Sequence, residues 1–317
     1  MKIGLLVGGN SAERDISLSS GKSIKKALIS LGHEVLTLDP CNGISEIEDS
    51  ILSVDLVFNG LHGGDGENGK IALELESLEV HYTGSDHHSS RLCMDKASSK
   101  EKITDWSNIK TPKWFVVPQL EKEEKIIEEI ELGILNKKTS DLGFPLIVKP
   151  IDQGSTIGLS VVKDSSELHT ALDIAYKYSE LILIESFIDG REITVPIIGN
   201  KAYSIVEIIP SHDLYDYECK YTKGMSEYIC PADLDINLSG SIKDQALKIH
   251  KILDCRHYSR VDFILDKNND PWFLEINTLP GMTETSLLPK SLKASGVEFK
   301  DVIQKIINEA INSPRLY

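Results

Sequence analysis

The N-terminal part of the chain alternates short apolar runs with one stretch of helical spacing. Residues 3–7, 34–39 and 54–59 form apolar runs with the length of buried strands. Between the first two runs, residues 20–31 repeat apolar side chains at the spacing of one helix face. Strands that alternate with helices along a chain form parallel sheets with helices packed on their faces. The pattern therefore predicts an α/β fold for this part of the chain.

Two further groups of elements follow residue 95. The predicted elements are, in order, a helix and a connecting strand over residues 98–118, a charged surface helix over 121–136, and strands at 146–149, 159–162, 181–185 and 192–198. With boundaries near residues 95 and 180, we predict three domains, covering residues 1–95, 96–180 and 181–317. The C-terminal half is expected to have α+β character.

A hairpin near the C-terminus places polar side chains on a single face. Two apolar, aromatic-rich runs bracket an Asn-Asn turn, a pattern that predicts paired antiparallel strands. If the turn is centred between its two asparagines, Asp262 lies opposite Glu275. The polar face then carries Arg260, Asp262, Glu275 and Asn277. The opposite face carries Val261, Phe263, Leu274 and Ile276.

Asp262 and Glu275 would repel each other at a Cβ separation of roughly 5 Å. A hard divalent cation offsets this repulsion, and carboxylate and amide oxygens suit Mg²⁺, whose remaining ligands are usually water and nucleotide phosphates. Alternatively, Arg260 forms an ion pair with Asp262 or Glu275 on a solvated sheet face. The spacing alone leaves both interpretations open.

Composition and charge exclude several classes of protein. A chain of 317 residues is long enough for two or three domains, and its formal net charge of −15 argues against binding to nucleic acid or to an anionic membrane. The five cysteines are far apart and form no C-x-x-C pair, so the pattern favours neither a disulfide framework nor a zinc site. The apolar run at residues 3–7 is too short for a signal-peptide core, and no run is long enough for a membrane helix. We therefore expect a cytoplasmic protein.

Glycine-containing loops follow several of the predicted strands. In residues 149–158, Gly154 and Gly158 allow close approach of the backbone to an anion, and Lys149 supplies positive charge. An ordinary hairpin with a surface lysine explains this loop equally well until the predicted magnesium pair is considered with it. The loops at residues 8–17 and 62–69 follow strand ends, where ligands bind in open parallel sheets, although the Gly-x-Gly-x-x-Gly motif of dinucleotide-binding folds is absent.

Taken in order, these segments resemble a known family. The motifs are Gly8-Gly9-x-Ser-Ala-Glu-Arg, His62-Gly63, Tyr82-Thr83-Gly84-Ser85, Met94-Asp95-Lys96, Lys149-Pro150, Gly154-Ser155, Tyr215-Asp216-Tyr217-Glu218-x-Lys220-Tyr221, Cys230-Pro231-Ala232, Arg260-x-Asp262 and Glu275-x-Asn277-Thr278-x-Pro280-Gly281-Met282-Thr283. Together they resemble the D-alanine–D-alanine ligases of the ATP-grasp superfamily over nearly the whole chain. The resemblance implies three α/β domains, with ATP between two sheets of the central and C-terminal domains.

The resemblance also implies an activity and a set of roles. The activity is ATP-dependent joining of two D-alanines through a D-alanyl phosphate, with release of ADP and phosphate, for peptidoglycan precursor synthesis. Two Mg²⁺ ions, with Mn²⁺ as an alternative, and a homodimer are implied. ATP-binding roles fall on Lys96, Lys149, Gly154, Ser155, Glu185, Ile188, Glu192 and Lys220. Metal-binding roles fall on Asp262, Glu275 and Asn277, and substrate-binding roles on Glu13, His62, Ser286 and Leu287. Catalytic roles fall on Glu13, Ser155, Tyr221, Arg260 and Gly281.

Some positions depart from the family pattern, and two other functions remain open. The departures are Asn68, Ala72, Leu73, Ile151 and Ser186. The altered turn after His62 motivates a ligase for other amino acids. A non-catalytic nucleotide-binding regulator is the alternative from a different class. Polar, tyrosine-rich residues 201–232 are the predicted lid that excludes water from the acyl phosphate.

Overall fold

The N-terminal sheet is parallel, as the alternation of strands and helices predicts. The computed structural model describes residues 1–119, 125–210, 226–283 and 286–313. Strands β1 (Lys2–Leu6), β2 (Glu34–Leu38) and β3 (Leu56–Asn59) pair in the order β2-β1-β3, and all pairs are parallel. The associated helices are α1 (Arg14–Ser30), α2 (Glu48–Leu52), α3 (Lys70–Ser77) and α4 (His87–Met94).

Helix α1 begins at Arg14, earlier than the start at residue 20 that apolar spacing predicts. Its first turns pack small polar residues against the sheet instead of apolar ones. Ser17 Oγ donates to the carbonyl of Gly60 at 2.8 Å, and Ser20 Oγ lies 3.0 Å from His62 Nε2. Because these side chains are buried through hydrogen bonds, a search for apolar periodicity misses this end of the helix.

The central sheet is antiparallel and holds the glycine-containing loop. Strands β4 (Trp114–Pro118), β5 (Leu146–Pro150), β6 (Ser160–Val162) and β7 (Leu181–Ser186) pair in the order β4-β7-β5-β6. Helices α5 (Lys96–Trp106), α6 (Lys125–Leu142) and α7 (Leu168–Ala175) belong to this part of the chain. The predicted strand pair around the loop at residues 149–158 is confirmed, since β5 and β6 pair directly.

The larger sheet is also antiparallel, in agreement with the α+β character expected of the C-terminal half. Its strands are β8 (Gly190–Ile198), β9 (Lys201–Ala202), β10 (Val206–Pro210), β11 (Ser226–Ile229), β12 (Tyr258–Asp266) and β13 (Pro271–Asn277). The order is β11-β10-β8-β12-β13, with β9 beside β8. Helix α8 (Ile236–Ile252) lies between β11 and β12 in the chain, and α9 (Leu287–Ala294) and α10 (Phe299–Asn312) come after β13. Among the described residues, none of the helices is both long and apolar enough to cross a membrane.

Strands β9, β10 and β11 occupy both ends of the predicted lid at residues 201–232. The two ends of the predicted lid are therefore strands of the larger sheet. Residues 211–225, in the middle of the predicted lid, lie outside the described residues.

The β12–β13 hairpin confirms the predicted register on its polar face and corrects it elsewhere. Asp262 pairs with Glu275, but Phe263 pairs with Phe273, so Leu274 is an extra residue in a β-bulge. Phe273 therefore turns into the core, where it is fully buried, and Leu274 faces a cavity. The prediction that Leu274 lies on the core face is wrong because strict alternation fails at a bulge.

Candidate active site

Two neighbouring cavities contain the predicted site residues that the structure describes. The larger, of about 370 Å³, lies between the N-terminal loops, the glycine-containing loop and the end of β13. The smaller, of about 140 Å³, lies between the central sheet and the β12–β13 hairpin. Lys96, Arg260 and Glu275 line both cavities. These three residues therefore form the boundary at which ligands in the two cavities would meet.

The predicted residues divide between the cavities as follows. The larger is lined by Glu13, His62, Lys96, Gly154, Ser155, Arg260, Glu275, Asn277, Gly281, Ser286 and Leu287. The smaller is lined by Lys96, Lys149, Glu185, Ile188, Glu192, Arg260, Asp262 and Glu275. Lys220 and Tyr221 lie outside the described residues, so their roles stay predictions. The structure thus brings together residues that are more than 270 positions apart in the chain, from Glu13 to Leu287.

Arg260 and Asp262 form a two-point ion pair on the polar face of the hairpin. Arg260 Nε and Nη2 donate to the two carboxylate oxygens of Asp262 at 2.9 and 2.7 Å. Thr194 on β8 donates its hydroxyl to Asp262 Oδ1. This is the Arg260–Asp262 pair that the alternative interpretation of the spacing expects. It also fixes the orientation of the Asp262 carboxylate within the cavity.

The same face fits a magnesium site. Within the described part of the chain, no group of three or more His, Cys, Asp or Glu side chains is placed to hold a metal ion by itself. Asp262 and Glu275 do face each other, and Asn277 is two residues beyond Glu275 on the same strand. Magnesium is commonly held by one or two carboxylates together with phosphate oxygens. The donor set therefore fits Mg²⁺ in the presence of a nucleotide.

Lys96 lies at the start of α5 and points to the boundary of the two cavities. Its ammonium donates to the carbonyl of Gln153 at 2.7 Å and lies 3.6 Å from Glu275 Oε2. Its backbone N–H donates to the carbonyl of Ile151 at 3.1 Å. The side chain thus joins the glycine-containing loop to the hairpin. A buried, oriented ammonium in this position is suited to an anionic ligand.

A buried cluster of charges lines one wall of the smaller cavity. Glu185 lies between Lys149, whose Nζ is 2.5 Å from Oε1, and Lys100, whose Nζ is 3.0 Å from Oε2. Burial alone would raise the pKa of Glu185, but the two lysines outweigh it and hold this pKa below its usual value. Burial likewise opposes the charge on Lys149, yet Glu185 and Glu275 keep the pKa of Lys149 above its usual value.

Lys100 was not identified from the sequence. It is fully buried, and burial lowers its pKa to about 8. The sequence feature that could have identified it is its position four residues after Lys96, which places both lysines on one face of α5. Thr194 was also missed, because a threonine within a strand has no sequence feature that marks it as a partner of Asp262.

The glycine-containing loop contacts the N-terminal domain. Ser155 and Thr156 have φ angles of 53° and 63°, in the left-handed region, and the loop is exposed to the larger cavity. Ser155 Oγ donates to Glu13 Oε1 at 2.5 Å. A Cβ at Gly63 would approach Glu13 Oε2 to 2.4 Å, so glycine at this position leaves room for the carboxylate. The contact between Ser155 and Glu13 joins two of the predicted catalytic residues.

The far end of the larger cavity is a turn that leads into α9. Ser286 Oγ accepts from the backbone N–H of Thr283 at 3.1 Å and lies 2.7 Å from Thr283 Oγ1. A Cβ at Gly281 would come within 2.9 Å of Ser286 Oγ. The small size of residue 281 therefore sets the space beside Ser286. Residues 284 and 285 lie outside the described residues.

Of the departures from the family pattern, only some reach the cavities. Asn68, Ala72 and Leu73 line neither of the two cavities, whereas Ser186 lines the smaller one. Asn68 is engaged in the turn before α3, where its Oδ1 accepts from the backbone N–H of Lys70 at 3.0 Å. The three altered residues of this turn therefore lie outside the linings of both cavities.

Comparisons with known proteins agree along the whole chain. Residues 105–308 match the family model described as the D-ala D-ala ligase C-terminus. The D-alanine–D-alanine ligase of Pelotomaculum thermopropionicum is 39% identical over 317 residues, covering 99% of this chain and 98% of that protein. The ligase of Aquifex aeolicus is 43% identical over 313 residues, covering 97% and 100%. The crystal structure of the Bacillus anthracis ligase complexed with ATP superposes with a TM-score of 0.82 at 30% identity, covering 98% of this chain and 97% of that one.

Proposed function

This chain belongs to the D-alanine–D-alanine ligase family, and on that premise we propose that it joins two molecules of D-alanine at the expense of ATP. The observation that carries the proposal is the pair of neighbouring cavities with a shared boundary of Lys96, Arg260 and Glu275. A ligase needs a nucleotide on one side of the reacting carboxylate and an amine on the other. The shared boundary is where a phosphoryl group would pass from ATP to the carboxylate.

In this proposal the smaller cavity holds ATP. Lys149 and Lys96 neutralise phosphate charge, and Glu185, Ile188 and Glu192 line the cavity around the base and ribose. The link from β7 to β8, which contains Ile188, connects the two sheets, so it presents backbone groups at the cavity between them. Lysines placed in this way stabilise the charge that develops on the transferring phosphoryl group. Lys220 is expected to act on the same group.

Asp262, Glu275 and Asn277 would hold magnesium, or manganese in its place. The metal, when bound, supplies positive charge that neutralises the phosphate oxygens. Thr194 and Arg260 orient the Asp262 carboxylate for this role. Arg260 lines both cavities, so its positive charge is also suited to stabilising an oxyanion on the acyl group.

The larger cavity would hold both amino acids. Glu13 is suited to binding the amine of the first D-alanine, and Ser155 fixes one of its oxygens. His62 lies beside them, held by Ser20. Ser286 and the start of α9 at Leu287 are suited to the carboxylate of the second D-alanine, since a helix N-terminus favours an anion. Gly281 lines the same cavity as Ser286 and Arg260, and its backbone N–H is suited to an oxyanion.

The order of chemical steps follows from these positions. A carboxylate is a poor acyl donor, so ATP first converts the carboxylate of the first D-alanine into an acyl phosphate, with release of ADP. The amine of the second D-alanine then attacks the acyl carbon, and the C–O bond to phosphate breaks. The amine gives up a proton, and D-alanyl-D-alanine and inorganic phosphate leave. The product would serve peptidoglycan precursor synthesis.

The test is release of inorganic phosphate from ATP with each amino acid alone and in pairs. We expect release that depends on D-alanine, with D-alanyl-D-alanine as the product. Phosphate release that requires a different amino acid would favour the ligase of other specificity. Nucleotide binding without any phosphate release would favour the regulator. Because Ala72 and Leu73 line neither cavity, the altered turn gives no support to a changed amino acid.

The domain division and the assembly complete the proposal. Strand β7 begins at Leu181 and pairs with β4 and β5, so sheet membership supports an end of the central domain after Ser186 instead of near residue 180. We propose domains of 1–95, 96–186 and 187–317 on this basis.

We also expect a homodimer in the cytoplasm. Light scattering coupled to gel filtration gives the mass of the assembly, and a monomer at all concentrations would contradict the homodimer.

A further inference from the structure

Lys100 is a buried lysine for which the proposed reaction has no role. A lysine ammonium has three N–H donors. Its ammonium donates to Thr111 Oγ1 at 3.0 Å and to the carbonyl of Phe273 at 3.3 Å, and forms an ion pair with Glu185 Oε2 at 3.0 Å. Lys100 lines neither of the two cavities. With its donors directed to protein acceptors, Lys100 acts on a ligand only through its neighbours.

Those neighbours belong to different sheets. Glu185 is on β7 of the central sheet, and Phe273 is on β13 of the larger sheet. Phe273 flanks the β-bulge, and its backbone N–H donates to the carbonyl of Lys110 at 2.8 Å. The carbonyl of Phe273 accepts a hydrogen bond from Lys100 and a second one from the hydroxyl of Thr111, at 3.1 Å. One ammonium thus joins the two sheets that face each other across the smaller cavity.

The Glu185 carboxylate is shared between two lysines. One oxygen contacts Lys149, which faces the cavity, and the other contacts Lys100, which does not. Glu185 has a relative exposure of 2%, so water cannot replace a lost partner. Removal of one member of a buried ion cluster leaves the opposite charge uncompensated. Without Lys100, Glu185 either takes up a proton or turns both oxygens toward Lys149, and both responses change the position or charge environment of Lys149.

We propose that Lys100 is a positioning residue for nucleotide binding. It holds Glu185 so that Lys149 is oriented toward the nucleotide. It also fixes the spacing of the two sheets at this point. The inference rests on the proposed function, because it takes the smaller cavity to hold ATP. Lys100 acts before chemistry begins. Its loss should therefore weaken nucleotide binding much more than it slows turnover at saturating ATP.

The test compares Lys100→Met with the wild-type protein. Methionine keeps most of the length and volume of the side chain and removes the charge. We expect the Kd for ADP, measured by titration calorimetry, and the KM for ATP to rise on the order of tenfold, while kcat at saturating ATP and the KM for D-alanine stay within about threefold. A merely structural role would lower the fraction of active protein, and with it the apparent kcat and the calorimetric stoichiometry, while the Kd for ADP and both KM values stay unchanged.

Lys102→Met is the matched control. Lys102 lies on the same helix and also forms an ion pair, with Asp254 at 2.8 Å, but it is half-buried, and it lines neither cavity. Its replacement removes the same charge and should leave the Kd for ADP unchanged. A rise in Kd equal to that of Lys100→Met would overturn the inference, because the effect would then be one of net charge.

A double-mutant comparison tests whether Lys100 acts through Glu185. In a Glu185→Gln background, residue 185 no longer carries the negative charge that Lys100 compensates. Lys100→Met should then change the Kd for ADP by less than about threefold. An equal fold-change in both backgrounds would overturn the inference. If Lys100→Met fails to fold, Thr111→Val removes one of its acceptors and should raise the Kd for ADP by about threefold; an unchanged value would overturn the inference. Wild-type protein that does not bind ADP refutes the proposed function instead.

Discussion

Replacement of Glu275 by glutamine removes one negative charge from the boundary that the two cavities share. In the structure, Glu275 Oε2 lies 3.6 Å from Lys96 Nζ, and the Glu275 side chain is 30% exposed. An ion pair with this exposure contributes at most about 1 kcal/mol to stability. Glutamine keeps the shape of the side chain and its place in the register opposite Asp262. The free energy of unfolding should therefore fall by less than about 1 kcal/mol.

The expected effect of Glu275→Gln on turnover is much larger. If Glu275 holds magnesium at the transferring phosphoryl group, loss of its charge should raise the activation barrier by about 3–4 kcal/mol, which corresponds to a loss of several hundredfold in kcat. The assay is phosphate release at saturating ATP, D-alanine and Mg²⁺, with thermal unfolding measured in parallel. A kcat within threefold of the wild type would refute the metal-binding role and leave the Asp262–Glu275 pairing as a structural feature.

Asp270→Asn is the matched control for this prediction. Asp270 lies at the turn of the same hairpin and also pairs with a lysine, Lys110, at 2.6 Å. It lines neither cavity. Its neutralisation should leave kcat unchanged, so a parallel loss of turnover in both variants would show that the hairpin, and not the metal site, is damaged.

Three further predictions test the fold and the substrate cavity. Phe273→Ala should lower the free energy of unfolding by about 3–5 kcal/mol and Leu274→Ala by less than half of that, since only Phe273 is fully buried; the reverse order in chemical denaturation would contradict the bulge. Burial lowers the pKa of His257 to about 3, so the unfolded chain binds a proton that the folded chain does not, and stability that is complete above pH 6.5 is lost as the pH falls. The loss should be about 1.4 kcal/mol per pH unit for this group, and His257→Gln should reduce the measured slope by that amount. Gly281→Ala places a Cβ 2.9 Å from Ser286 Oγ, so the KM for D-alanine should rise about tenfold while the melting temperature stays constant; an unchanged KM would argue against a substrate at this turn.

The sequence predicts most of what local patterns determine. The parallel pairing of the N-terminal strands follows from the alternation of strands and helices, and the Asp262–Glu275 pairing follows from the turn and the apolar alternation. Both depend on neighbours along the chain. The start of α1 at Arg14 was missed because its first turns are buried through serine hydroxyls instead of apolar side chains.

Contacts between distant segments could not be predicted in this way. Lys100 has its partners at Thr111, Glu185 and Phe273, and only the three-dimensional structure brings these residues to one ammonium. The same holds for Thr194 and Asp262 on neighbouring strands. The bulge at Leu274 was missed because a single extra residue leaves the residue types of the strand unchanged while it reverses the direction of the side chains beyond it.

The bulge at Leu274 also makes this position useful for protein engineering. Phe263 and Phe273 pack edge to face on the core side of the hairpin, and Asp262 pairs with Glu275, without using the Leu274 side chain. Leu274 itself lines the smaller cavity together with Ile264. A smaller residue at 274 therefore enlarges the cavity without opening the core, and a larger one narrows it. If the smaller cavity holds ATP as proposed, a smaller residue at position 274 would let the enzyme accept an enlarged nucleotide analogue that unmodified ligases reject for its size.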